Sequence, residues 1–584
     1  MKWTVVVVAV LATARVAAAQ CPPCAESWQT PDANCYCALY ECKAGNPRCD
    51  VDVAVLGSRT CDQTITASTP WSSINWSNNT ICIEAGNHLG KGTLTVPAVA
   101  NGSSGNHKVL RYTRGSDNDD EPWNQSGTQA NVQRLVVQGD YWLIHRLTFP
   151  TISGGLDKPV RVEVVPGNGD VTNVIFNRML IVGSDYLYYG YSQDGSSGSI
   201  DWITVQNSVL RGWYGNGTSD EVVGLDIGTG SNMHAVNNEI YDVAAHQMQV
   251  GHNGGPTLSG IVIENNDLYY SPTAQTTDGT KVKGENTLSF KASGASDSAA
   301  LIIDNRIWGN RVTDFAFCCN GSSGPAVAFG AGGGTNSDWI LFKGNVVLDS
   351  QQGIEWTHWN QPSSGNRVSV IGNIFYQIGN FSGTPEQSTV WWAGSGGVNT
   401  TEHYLNTIVE SAYLAQGLFD SNNDFRCNVA IKAGTNVASN GSGTQWDHNA
   451  YYATQDAGES NRVAGAIIQP GRLSAYALDE VLEAPERNDF LYRVTTAGTS
   501  AAAPPGYCTT VGCTTQDGTM TVQATRGPYC FYRKLRTAPE QLCIPYATVH
   551  ESAPEYGFCR AENMGGVPLG SRPGIGISDD VAPW

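Results

Sequence analysis

Leu301-Ile302-Ile303-Asp304-Asn305-Arg306-Ile307 is a short apolar strand that stops at an asparagine and resumes two residues later. The same phrase returns along most of the chain, at Asn177/Met179, Asn207/Val209, Asn238/Ile240, Asn266/Leu268, Asn305/Ile307, Asn345/Val347, Asn373/Phe375, Asn406/Ile408, Asn428/Ala430 and Asn449/Tyr451. Successive asparagines lie 30, 31, 28, 39, 40, 28, 33, 22 and 21 residues apart. The lower values fit one coil of a parallel β-solenoid, and the higher ones a coil with an inserted loop. In such a coil each strand stacks on its counterpart in the coil before, and inward Val, Ile and Leu fill one continuous core. An asparagine that recurs at one turn can stack its amide on the next and tolerates left-handed backbone. A β-sandwich would instead show hairpin turns every few residues, and a propeller a longer period with blade signatures.

Composition agrees. The 584 residues include 65 glycines and only 15% charged residues. Runs of Ala, Leu, Glu and Lys at helical spacing are few, which argues against an all-helical protein. Residues 1–19 carry Lys2, an apolar run Val5–Leu11 and the small residues Ala17-Ala18-Ala19. That pattern predicts a secretory signal peptide, because the run is too short to span a bilayer. Of the 16 cysteines, eight fall between Cys21 and Cys82 and five between Cys508 and Cys559, leaving Cys318, Cys319 and Cys427 in the middle. In an exported chain they read as disulfides rather than zinc ligands. Nine Asn-x-Ser/Thr triplets, at Asn75, Asn78, Asn101, Asn124, Asn216, Asn320, Asn380, Asn399 and Asn440, are candidate glycosylation sites.

The formal charge of −19 argues against nucleic acid as a partner, since phosphate binding needs a basic surface. No segment after the leader reads as a membrane span. The expected partner is a polysaccharide, met by a monomeric, exported protein. An acidic surface also supplies carboxylates for Ca²⁺. The chain divides into a signal peptide (1–19), a Cys-rich N-terminal module (20–62), the solenoid (63–455), a closing segment and linker (456–505) and a Cys-rich C-terminal region (506–584). A short helix is expected near Leu473–Leu482.

The ladder resembles the right-handed parallel β-helix proteins of the pectate-lyase-like superfamily, over about Trp71–Tyr452. Asn488-Asp489-Phe490-Leu491, followed by Thr499-Ser500-Ala501, is similar to the segment that often closes secreted β-helix proteins. Glu285…Ser289-Phe290-Lys291-Ala292-Ser293 is similar to the Glu…Lys-Ser segment of β-helix alginate and related lyases. That resemblance implies that Lys291 serves as a base. The paired-aspartate signature of polygalacturonase-like hydrolases and the calcium-and-arginine pattern of pectate lyases are not evident.

Aligning the first strand of each coil points to the same lysine. The runs Leu225–Gly228, Met248–Gly251, Leu288–Lys291, Val327–Gly330, Ile354–Thr357 and Val390–Ala393 superpose without gaps. Positions one and three point inward, two and four outward. The fourth position reads Gly, Gly, Lys, Gly, Thr, Ala, so Lys291 rises from a column of nearly bare neighbours, as on the floor of a groove. His252 and His358 follow just beyond their strands. Asp226 and Glu355 share the second column, but four strand steps of about 4.8 Å put them roughly 19 Å apart. Glycosidase carboxylates need about 5–10 Å, so this pair is not a hydrolase dyad.

These positions support a β-elimination. It needs a base at the uronate C5 proton, a proton donor for the O4 leaving group and something to neutralise the carboxylate. Lys291 is the candidate base and His252 the candidate acid, with His358 a further catalytic candidate. Arg306, Arg311 or Ca²⁺ held by Asp226 or Glu285 could meet the carboxylate, and Glu355 is a further metal candidate. Gln249 is a candidate substrate contact. Trp356 and Trp392 are expected in the core, and Trp359 and Trp391 against sugar rings. The leading reading is a secreted lyase of an acidic polysaccharide. The alternatives are a β-helix glycoside hydrolase using loop carboxylates and a non-catalytic carbohydrate-binding protein of an extracellular matrix.

Overall fold

The computed structural model describes residues 51–113, 129–150, 158–182, 188–192, 198–212, 222–228, 230–243, 245–251, 260–271, 286–291, 300–309, 325–330, 340–357, 368–379, 389–398, 401–419, 423–434, 437–439, 445–454, 463–532 and 541–547. Three long sheets run through them. The first has 14 strands, from Gln63–Ile65 to Gln445–Asp447. The second has 12, from Thr93–Val96 to Val437–Ser439, and the third 14, from Gly86–Asn87 to Val463–Gly465. One coil runs through Leu288–Phe290 of the second sheet, Ala300–Ile303 of the first and Arg306–Trp308 of the third, then returns to the second at Pro325–Gly330. Neighbouring strands within each sheet pair parallel. Strand twist makes such parallel connections right-handed. The chain is a right-handed parallel β-helix, as the repeat predicts.

The turn from the first sheet to the third explains the repeated asparagine. Each turn places a residue in left-handed backbone, for example Asn265 (φ 56°) and Asp304 (φ 56°), and then the asparagine. Asn305 shows the chemistry. Its side-chain amide donates to Asn345 Oδ1 and to the Ile263 carbonyl, both at 2.9 Å, while its backbone N–H also donates to Asn345 Oδ1 at 2.9 Å. The pattern links Asn238, Asn266, Asn305, Asn345, Asn373, Asn406, Asn428 and Asn449. These turns are buried, so each amide must satisfy its own polar atoms and a neighbour's. Asparagine carries the donor and acceptor that do this, and aspartate lacks the donor.

Two asparagines of the predicted repeat lie elsewhere. Ser208, not Asn207, precedes Asn238 in the inner row, with its N–H on Asn238 Oδ1 at 3.0 Å. Asn177 and Asn207 instead begin an outer row. Asn207 Nδ2 donates to Asn177 Oδ1 at 2.9 Å, Asn237 Nδ2 to Asn207 Oδ1 at 2.6 Å, and Asn265 Nδ2 to Asn237 Oδ1 at 3.2 Å.

The core is one column of inward side chains from Ile65 to Tyr451. Outside it, the faces differ. The helix Val53–Gly57, capped by Asp52, buries Val53 and Leu56 against the outer face of the first sheet, beside Val109 and Leu143. The third sheet is covered too: Trp308, Leu348 and Ile431 pack with Val481, Leu491, Phe531, Ile544 and Tyr546. Among the described residues, no such apolar cluster lies on the outer face of the second sheet.

The segment after the solenoid departs from expectation. Residues around Leu473–Leu482 form no helix but contribute the strands Ala475–Tyr476 and Val481–Glu483. A five-stranded sheet combines Ile467–Ile468, Val481–Glu483, Leu491–Thr496, Thr514–Asp517 and Met520–Arg526. It closes over Leu482, Tyr492, Val494, Met520 and Val522. Strand pairing therefore crosses the boundary expected between residues 505 and 506. Disulfides join Cys61 to Cys82, Cys508 to Cys513 and Cys530 to Cys543. Cys427 is also disulfide-bonded, and no described cysteine is free. Among the described residues no helix is long and apolar enough to cross a membrane. The expected signal peptide, residues 1–19, lies outside the described residues.

Candidate functional site

The outer face of the second sheet is ordered by strand register. Asp226 pairs with Gln249, Gln249 with Ser289, Ser289 with Ala328, Ala328 with Glu355, Glu355 with Trp392 and Trp392 with Gln416. These residues form one outward column, because the flanking Leu225, Ile227, Met248, Val250, Leu288 and Phe290 all enter the core. The next outward column holds Gly251, Lys291 and Gly330, and Thr357 is the backbone partner of Gly330. The column's register follows from the Phe290–Phe329 and Gly330–Thr357 pairs and from the Lys291 N–H, which donates to the Val250 carbonyl at 2.7 Å. Lys291 therefore stands between Gly251 and Gly330, as predicted.

Burial separates the two columns. Asp226 (0%), Gln249 (2%), Ser289 (1%) and Glu355 (4%) are shielded from solvent, whereas Lys291 and Gly330 are half-buried. The first column is a polar floor. On this part of the face the half-buried positions are Lys291 and Gly330. From Val223–Ile227 to Tyr413–Phe419, Lys291 is the only lysine or arginine among the described residues in or next to these strands. Further toward the N-terminal end, Arg161 and Glu163 form an ion pair at 2.6 Å.

Two predicted site residues are placed elsewhere. Trp391 pairs with Ile354, not Glu355, and is 1% exposed within the core. It packs against Phe375 and His403, with ring centroids 5.8 and 4.8 Å away. The gapless alignment slips by one residue at this strand, and a one-residue slip exchanges the two faces. Trp356 is in the core as expected, but Trp392 faces outward and is half-buried. Arg306 belongs to the third sheet. Its guanidinium is bonded to Asp267 and donates to Asn265 Oδ1 at 3.0 Å. It is committed to a buried pair on another face and does not serve the Lys291 site.

Asp226 and Glu355 are four strands apart, as their spacing implies, and do not share a cation. Among the described residues no three His, Cys, Asp or Glu side chains converge on a metal position. His252, His358, Trp359, Glu285 and Arg311 lie outside the described residues.

Two outward residues escaped the sequence reading. Trp392 was hidden by its neighbour, and Gln416 lies in a strand, Tyr413–Phe419, with no motif of its own. The Gln416 Oε1 atom is buried without a hydrogen-bond partner.

No protein-family model matches the chain, and no curated protein matches it. Solved structures do. An alginate lyase from Paenibacillus sp. str. FPU-7 is similar at 16% identity over 61% of this chain and 99% of that one, with a TM-score of 0.35. The pectate lyase Pel9A is similar at 13% identity over 60% of this chain and 80% of that one, with a TM-score of 0.33. The A-module of the Azotobacter vinelandii mannuronan C-5 epimerase AlgE6 follows at 13% identity over 67% and 91%, with a TM-score of 0.31. At these TM-scores the likeness carries no argument, and the strand register establishes the fold by itself.

Proposed function

We propose that the protein is a secreted polysaccharide lyase that cleaves a uronate-containing glycan by β-elimination, with the glycan lying along the outer face of the second sheet. One observation carries this reading: Lys291 is a half-buried amine between Gly251 and Gly330, in a stretch of strands with no other lysine or arginine. Bare neighbours let a chain lie close to the sheet, and the amine rises beside it. The neighbouring column of Asp226, Gln249 and Ser289 is buried.

In the reaction, Lys291 Nζ takes the C5 proton of a uronate. The electrons of the broken C–H bond form the C4–C5 double bond, and the C4–O4 bond breaks toward oxygen. The departing oxygen collects a proton, a role proposed for His252. His358, Trp359 and Glu285 remain proposed participants, with Ca²⁺ as a proposed auxiliary. Export is proposed from the leader-like sequence of residues 1–19, and the disulfides suit an oxidising compartment.

The test is direct. The protein is incubated with pectate, alginate and glycosaminoglycans, and the ultraviolet absorbance of unsaturated uronate ends is followed. Rising absorbance on one of these supports the lyase. New reducing ends without absorbance would identify a hydrolase, and retained binding without any product a binding protein.

A further inference from the structure

We infer that Trp392 and Gln416 form a separate sugar-binding subsite, three and four strands along the second sheet from Lys291, that holds the hydroxyl-bearing edge of a pyranose ring. The identity of the glycan rests on the lyase reading, whereas the existence of the subsite does not.

Trp391 and Ala393 both enter the core, so the indole of Trp392 between them points outward. It is half-buried, and among the described residues no hydrogen bond, ion pair or ring contact engages it. A half-buried, outward indole with no such partner among the described residues suits the apolar C–H face of a sugar. Gln416 is its direct partner on the next strand. The Oε1 atom of Gln416 is buried with no hydrogen-bond partner, a state that calls for a donor. A sugar hydroxyl over Trp392 supplies one.

Two further observations fit. The register between the strands Thr389–Val398 and Tyr413–Phe419 shifts between Ala393 and Val398, and such irregularities re-aim side chains beside functional sites. At Gly417 (φ 109°) a Cβ would stand 2.0 Å from the Ala393 carbonyl oxygen, so the two strands approach where only glycine fits.

The subsite also has a chemical polarity. On the other side of Trp392 the paired residue is Glu355, buried like the rest of the floor. Gln416 Oε1 accepts a hydrogen bond, so this end of the face favours a hydroxyl donor and disfavours a carboxylate. Lys291 stands about 14 Å away along the sheet axis, three strand spacings. A single glycan can span both, its carboxylate near Lys291 and a hydroxyl edge over Trp392.

The experiment uses the full chain carrying Lys291→Ala, which prevents turnover if the protein is a lyase. Binding is measured by affinity electrophoresis in gels containing pectate, alginate or chondroitin sulfate. At least one polysaccharide is expected to retard the parent. Adding Trp392→Ala or Gln416→Leu is expected to weaken that binding roughly tenfold, about 1.4 kcal/mol, whereas Trp392→Phe and Gln416→Glu retain most of it. Thermal unfolding confirms that each variant is folded. If Trp392→Ala does not fold, Gln416→Leu against Gln416→Glu decides. Binding unchanged in the folded Trp392→Ala and Gln416→Leu variants overturns the subsite, as does a parent that no polysaccharide retards. The lyase is scored separately, by absorbance of unsaturated product with the unmutated protein. Product with no loss of binding in the variants removes only the subsite, and loss of binding with no product removes only the lyase.

Discussion

Asn305 and Asn345 are held together across one coil by two hydrogen bonds, from the Asn305 backbone N–H and side-chain amide to Asn345 Oδ1, each 2.9 Å long. Asn345 in turn donates to the Ile302 carbonyl at 2.8 Å and to Asn373 Oδ1 at 3.1 Å. Replacing Asn345 by Ala therefore strands donors and acceptors on three other residues in a buried turn. At about 1–3 kcal/mol for each unsatisfied group, the loss should reach roughly 3 kcal/mol or more. Asn237→Ala, at a half-buried position of the outer row, should cost about 1 kcal/mol. Urea unfolding of the two variants checks the contrast; similar losses would deny the inner row its special place.

The adjacent tryptophans give a second contrast. Trp391 is in the core and Trp392 on the face. Trp391→Ala should destabilise by about 3–5 kcal/mol, and Trp392→Ala by no more than about 0.5 kcal/mol, as for a surface position. Chemical denaturation reads both. The reverse order would mean that the strand register is wrong by one residue.

Buried histidines set a pH dependence. Burial holds His403 and His145 well below the ordinary histidine range, with Arg146, Arg178 and Arg111 adding to the effect at His145. A base whose pKa is lowered on folding binds fewer protons folded than unfolded. Its stabilising contribution is complete above the unfolded value of about 6.5 and is lost as pH falls below it. Each such histidine contributes a slope of up to about 1.4 kcal/mol per pH unit. His403 stacks on Phe425 at 4.1 Å, so His403→Phe should keep the packing and flatten the slope just below pH 6.5. Asp140, Asp201 and Asp424, raised by burial, act with the opposite sign at lower pH. An unchanged slope in His403→Phe would contradict the assignment.

Arg306 and Asp267 supply a stability test at a site once expected to bind substrate. Both are buried, and removing one partner of a buried pair leaves the other charge uncompensated. Arg306→Met should cost about 3–5 kcal/mol, seen as a lowered unfolding midpoint. Any lyase activity per folded molecule should be unaffected. A selective loss of activity at full stability would return Arg306 to the site.

The fold was legible because the asparagine row is a chemical necessity repeated at every coil. Its first two members were misplaced because Asn177 and Asn207 answer a different row at nearly the same spacing. At the paired tryptophans, simple alternation failed for a local reason. Val390 and Trp391 both enter the core, so the two-residue period starts one position late. The antiparallel sheet after the solenoid left little trace, since Leu491–Thr496 finds its partner at Met520–Arg526, far along the chain. Lys291 was legible because glycines bracket it. The unsatisfied acceptor of Gln416 was not, because it exists only in the folded packing.

The most direct test of the account compares the protein with its Lys291→Ala and Lys291→Arg variants on pectate, alginate and glycosaminoglycans, following unsaturated uronate by ultraviolet absorbance. The account predicts product from the parent on at least one polymer. It predicts a loss of at least about a hundredfold in both folded variants, the lower end of what a positioned base contributes. A Lys291→Ala variant that forms product at the parent's rate would contradict it.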